Sequence, residues 1–158
     1  MEKVIIEGDQ PEGGGKMLTK NYHELLKERI YIGGADDVQD LLENEKVDVI
    51  FDLRAEVPKE EVKYNRVHSP IVDDAAQQDE SVKKSINHVV NAYNEGKNVY
   101  FHCQGGSNRT GTVAIGTLLA LEKANTIEEA EEIAKTVRPK INVKPEMKEA
   151  LKRIFPNA

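Results

Sequence analysis

Apolar runs alternate with polar and acidic stretches along most of the 158-residue chain, and their spacing predicts its elements. Two runs are continuous rather than alternating: "VDVIFDLR" (47–54) and "NVYFHC" (98–103). Continuous β-branched and apolar runs of this length fit strands buried on both faces. "RIYIGG" reads as another strand. "NRVHSPIVDD" alternates and then stops at a proline and two acids, as a short strand entering a loop would.

Helical periods fill the rest. In "DESVKKSINHVVNAYNEGK" the apolar set Val82, Ile86, Val89, Val90 and Tyr93 falls on one helical face. Asp79 is expected to cap its start and Gly96 to stop it. "TGTVAIGTLLALEKA" is apolar nearly all round and predicts a central buried helix starting near Thr110. "TIEEAEEIAKTV" opens with a capping box, Thr126 with Glu129. "KPEMKEALKRIF" reads as a last helix, "DDVQDLLENE" as a helix with Val38, Leu41 and Leu42 on one face, and "NYHELLKE" as a short helix. Residues 1–18 read as an N-terminal segment, either a strand at "KVIIE" or flexible chain, ahead of a single domain over 19–158.

The two most apolar strands are separated by a connection that holds a helix, which suggests parallel pairing. The predicted class is α/β: a central, mostly parallel sheet of about four to five strands, flanked by helices on both faces. A net charge of −6 weighs against nucleic-acid binding. No apolar stretch approaches the roughly 20 residues needed to span a bilayer. The first residues lack the apolar core of a signal peptide. One cysteine excludes an intrachain disulfide framework and a multi-cysteine zinc site. A reduced, cytoplasmic setting is expected, with no metal and no cofactor.

The single cysteine closes the strand at 98–103, in "VYFHCQGGSNRTGT". Gly105 and Gly106 ease a backbone curl in which several N–H groups converge. The helix behind them adds the positive end of its dipole, and Arg109 adds a planar fork that holds two phosphate oxygens. The same surroundings lower a thiol's pKa, so Cys103 is expected as a thiolate beside a bound anion. "PEGGGK" near the N-terminus lacks the spacing and the hydroxyl residue of an NTPase phosphate loop.

"HCQGGSNRT" resembles the signature of the cysteine-dependent protein tyrosine phosphatases: His-Cys, five residues, Arg, then Ser or Thr. The short chain and the order of "RIYIGGADDVQDLL", "VDVIFDLR", "SPIVDD" and "VRPKINVKPEMKEALKRI" resemble the dual-specificity branch, over roughly residues 28 to 155. The resemblance implies that Cys103 attacks phosphorus to form a phosphocysteine intermediate. It implies a phosphate loop of Gln104, Gly105, Gly106, Ser107, Asn108 and Arg109. Thr110 would ease departure of the thiolate, and His102 would orient the loop. The general acid would be Asp73, with Asp74 as the alternative. Asn108 stands where the family more often has Ser or Gly.

The expected activity is therefore hydrolysis of phosphomonoesters, with phosphotyrosine on proteins first and phosphoserine or phosphothreonine next. Small phosphorylated metabolites such as inositol phosphates, a catalytically dead phosphate-binding module and rhodanese-type sulfur transfer are the alternatives. Asp52 and Arg54 are read as a structural pair bracing the site. Arg138, Lys140 and Lys144 are read as a solvated basic edge, with extra attraction for a phosphorylated substrate as the functional alternative.

Overall fold

The computed structural model describes residues 20–57 and 62–158; the expectations for residues 1–18 lie outside them. In chain order come β1 (His23–Leu26), β2 (Ile30–Gly34), a 3-10 turn (Ala35–Asp37), α1 (Val38–Asn44), β3 (Val49–Arg54), β4 (Arg66–Ile71) and α2 (Ala75–Asn94). β5 (Val99–Cys103), α3 (Asn108–Ala120), α4 (Ile127–Val137) and α5 (Pro145–Ile154) follow. The five strands form one sheet in the order β1-β2-β5-β3-β4. β2, β5, β3 and β4 run parallel, and β1 joins the edge antiparallel. Central β5 is buried at every position, which is why its sequence is continuous rather than alternating.

Helices cover both faces. Leu25, Ile32, Phe51, Leu53 and Phe101 join one core with residues of α2, α3, α4 and α5. Ile50, Tyr31 and Tyr100 join a smaller one with Val38 and Leu41 of α1. The predicted stripe on α2 is real: Val82, Ile86 and Val89 are at most 2% exposed. Each such side chain contributes about 1.5–3 kcal/mol on burial. α3 crosses α2 at Gly116, where a Cβ would lie 2.1 Å from Ile86 Cδ1.

Five sequence expectations change. "NYHELLKE" is not a helix: residues 23–26 pair with β2 at His23↔Ile32 and bury Leu25. A helical local preference yields here to edge pairing and burial. α2 begins at Ala75 rather than beside Asp79, because Asp74 is the cap and accepts Ala76 N–H at 3.1 Å. Asp79 lies inside the helix and pairs with Arg153. α3 begins at Asn108, so Thr110 lies within its first turn. Leu42 faces outward, because seven residues of α1 leave room for only Val38 and Leu41 against the sheet. At α4, Thr126 Oγ1 accepts Glu129 N–H at 3.0 Å as expected, but the Glu129 carboxylate takes Asn125 N–H, one residue beyond the cap.

Candidate active site

The loop between β5 and α3 sits at the carboxyl ends of the parallel strands, where open α/β sheets place their ligands. Its shape follows from where its carbonyls go. Gln104 O accepts Ala35 N–H at 3.0 Å. Gly105 O and Gly106 O accept Arg138 Nη2 at 3.1 Å and Nε at 2.8 Å. Ser107 O accepts Asn142 N–H at 3.3 Å. Four successive carbonyls are thus held by elements outside the loop. In a planar trans peptide the next N–H points the opposite way, so the N–H groups of residues 105–108 turn inward. The outcome is an anion cradle at the start of α3. Gly106 makes the curl: its φ is +72°, and a Cβ would lie 2.6 Å from Gly33 O and from Arg138 Nη2.

Cys103 lies at the floor of a cavity of about 680 Å³, lined also by Ala55, Glu56, Ile71, Asp73 and Arg109. Thr110 Oγ1 accepts the Cys103 N–H at 2.9 Å and lies 3.1 Å from Sγ, to which it donates. Burial pushes the thiol's pKa up. The hydroxyl and backbone of Thr110 and the backbone of Ser107 and Gly106 outweigh it, and the net direction is down. A sulfur held this way favours the thiolate.

His102 is buried and donates Nδ1–H to Cys103 O at 3.0 Å, since a carbonyl can only accept. Burial holds its pKa below the usual imidazole value. Arg109 meets Glu56 end-on, Nη1 to Oε1 at 2.6 Å and Nη2 to Oε2 at 3.0 Å. This leaves Nε–H and a further N–H on Nη2 for a second anion. The hydrogen bond from Arg109 pulls the Glu56 carboxyl down to about 2.

The two candidate acids separate in space. Asp73 lines the cavity with Cys103 and Arg109, whereas Asp74 is occupied as the α2 cap. Asp52 and Arg54 do form the expected pair. Arg54 Nη2 and Arg66 Nη2 each reach Asp52 Oδ2 at 2.8 Å, and Arg54 Nη1 carries on to Gln104 Oε1 at 3.0 Å. The strand end is thereby tied to the phosphate loop.

Three site residues escaped the sequence reading. Glu56 carries only the faint signal of an acid just beyond a buried strand. Asn142 lines the cavity from the α4–α5 connection. Arg138 is a correction: it is 2% exposed, not part of a solvated edge. It is drawn inward because the loop carbonyls and Asn21 O need donors that no neighbouring backbone supplies. Lys140 and Lys144 are exposed, as expected, although Lys144 lines the cavity. Among the described residues, no helix is long and apolar enough to cross a membrane, and no cluster of three or more His, Cys, Asp or Glu is placed to hold a metal ion.

Comparisons with known proteins agree with this fold. The solved structure of DUSP15 superposes with a TM-score of 0.74 at 21% identity, covering 86% of this chain and 88% of that one. Human DUSP28 gives 0.69 at 14% identity, covering 88% and 95%. PTPMT1 in complex with PI(5)P gives 0.70 at 19% identity, covering 86% and 95%. At these identities the likeness concerns the fold. No curated protein is matched by the sequence. Residues 30–155 match the family described as dual specificity phosphatase, catalytic domain, and the chain belongs to that family.

Proposed function

We propose that the protein is a cysteine-dependent phosphatase that hydrolyses phosphomonoesters through a phosphocysteine intermediate. The observation that carries this reading is the sulfur of Cys103, held by Thr110 beneath a ring of inward N–H groups and beside the free edge of Arg109. In the first step the Cys103 thiolate attacks phosphorus and the P–O bond to the alcohol breaks. Asp73 gives its proton to the departing oxygen. In the second step the Asp73 carboxylate takes a proton from water, whose oxygen attacks phosphorus and breaks the S–P bond. Inorganic phosphate and thiolate are the products. The inward N–H groups and Arg109 bind the charge that develops on the equatorial oxygens. Thr110 donates to the sulfur as it leaves.

Protein phosphotyrosine was the substrate expected from the sequence. The described lining favours the metabolite alternative, because it holds no aromatic side chain and only Ala55 and Ile71 as apolar ones. A phenyl ring needs more apolar wall than that.

Hydrolysis of an aryl phosphate, with chelator present and across pH, tests the reading. Turnover that survives chelation, vanishes in Cys103→Ser and traces a bell against pH is the expected result. Turnover near wild type in Cys103→Ser overturns the nucleophile, and activity on thiosulfate instead favours sulfur transfer. Phosphate binding without turnover in the wild type favours the dead module.

A further inference from the structure

The cavity over Cys103 has a wall that comes from outside the phosphate loop. It is the α4–α5 connection, which contributes Asn142 and Lys144. Three hydrogen bonds fasten it to the loop: Ser107 Oγ donates to Lys140 O at 3.0 Å, Asn142 N–H to Ser107 O at 3.3 Å, and Lys144 N–H to Asn108 Oδ1 at 2.8 Å. Behind it Ile141 and Val143 press on α3. A Cβ at Gly111 would lie 2.7 Å from Ile141 Cγ2 and 2.8 Å from Val143 Cγ2. Asn108, the residue that departs from the family's usual Ser or Gly, is thus the anchor that places Lys144 relative to Arg109.

The charges on this lining are unevenly committed. Arg109 is held by Glu56 and lines the cavity beside Cys103. On α5, Lys148 pairs with Glu131 at 3.0 Å and Lys152 with Glu149 at 3.3 Å, while Lys140 lines a neighbouring cavity with Gln104 and Arg138 rather than this one. Lys144 is exposed, and among the described residues no carboxylate lies within ion-pair distance of its ammonium. Among the described residues, a cation without an ion-pair partner therefore stands beside a cavity whose neighbouring side chains, Asn108 and Asn142, suit hydroxyls rather than a ring face.

We propose that Lys144, placed by Asn108, is a specificity residue for a second phosphate on the substrate. The substrate class is a polyol with two or more phosphates, one in the cradle and one on the Lys144 ammonium. This rests on the phosphatase reading above. A free sugar or cyclitol phosphate and a lipid headgroup share that chemistry.

The test compares kcat/KM for myo-inositol monophosphates and bisphosphates, free and on short-chain glycerolipids, with a phosphotyrosine peptide alongside. The wild type is expected to prefer bisphosphates. Lys144→Met is expected to lower the bisphosphate-to-monophosphate ratio about tenfold through KM, and Lys144→Arg to restore it. Asn108→Ala, which frees the wall but keeps the cation, is expected to lower the ratio in part. A preference for the free or the lipid series identifies the source, and either supports the proposal. Affinities of Cys103→Ser for the same ligands, with and without Lys144→Met, read the ratio independently of turnover. A ratio unmoved by Lys144→Met in rate and affinity overturns the proposal. So does a phosphotyrosine peptide that outperforms every bisphosphate. Aryl phosphate turnover that Cys103→Ser abolishes keeps the phosphatase reading intact in both cases; its absence in the wild type fails that reading alone.

Discussion

Arg138 Nε donates to the carbonyl oxygen of Gly106 at 2.8 Å, from a side chain that is 2% exposed. A buried cation thus holds the phosphate loop from behind while its charge stays inside the domain. Arg138→Met leaves the carbonyls of Gly105, Gly106 and Asn21 without that donor. Unpaired buried groups cost about 1–3 kcal/mol each, so a loss of about 3 kcal/mol in denaturant unfolding is expected. Anion binding to the folded fraction should weaken as well, because the loop carbonyls are then free to turn inward. Unchanged affinity in a folded Arg138→Met protein would contradict this account of the loop.

On the proposed mechanism, Thr110 sets the acid side of the activity profile. Its hydroxyl donates to Cys103 Sγ, and the folded thiol's pKa lies below the usual value. Removing the donor in Thr110→Val raises the thiol's pKa, so the acid limb of kcat/KM moves to higher pH. A burst of product with slow turnover is expected too, since the thiolate leaves phosphorus less easily. A pH titration of iodoacetamide labelling checks the first point without reference to substrate.

Asp73 and Asp74 are adjacent and should behave oppositely. Asp73→Asn should lower turnover of poor leaving groups by about 10²-fold or more, and nitrophenyl esters less. Asp74→Ala should keep turnover and cost about 1 kcal/mol of stability through the lost cap. Turnover lost in Asp74→Asn, with Asp73→Asn active, would reverse the assignment of the acid.

Glu56 holds Arg109 by its end-on edge, and on the proposed mechanism the side edge takes the substrate phosphate. Glu56→Gln loses the charge but keeps an acceptor, so Arg109 becomes less well placed. Loss of about tenfold in kcat/KM is expected, with the thermal midpoint nearly unchanged because the Glu56 side of the pair is half exposed. An unchanged kcat/KM would mean that the loop alone orients Arg109.

Asp52 links the sheet to acid stability. Burial acts to raise its pKa, but hydrogen bonds from Arg54 and Arg66 outweigh this and hold it below the carboxylate range. A depressed folded pKa adds stability that is present above the unfolded value of about 3.9 and is lost as pH falls through the folded one. Unfolding free energy should therefore drop on acidification below about pH 4 in the wild type. It should drop less steeply in Asp52→Asn, whose stability at pH 7 is already lower. Parallel curves for the two proteins would remove Asp52 from the account.

Local order alone carried much of this protein. The continuous runs at 47–54 and 98–103 showed buried parallel strands, because a strand covered on both faces has no polar side to alternate with. The stripe Val82, Ile86 and Val89 showed α2, because a helix with one covered face must repeat its apolar positions. Cys103, the glycines and Arg109 are contiguous, so their convergence needs only a turn. What needed the tertiary structure is whatever joins distant segments. β1 reads as helix until β2 offers an edge to pair with. Arg138 reads as a surface cation until the loop carbonyls, about thirty residues earlier in sequence, require a donor. Glu56 and Lys144 acquire meaning only where β3, α3 and the α4–α5 connection meet over Cys103. A side chain's local sequence sets which groups it carries; the packing of remote elements sets which of those groups are left without water and must find one another.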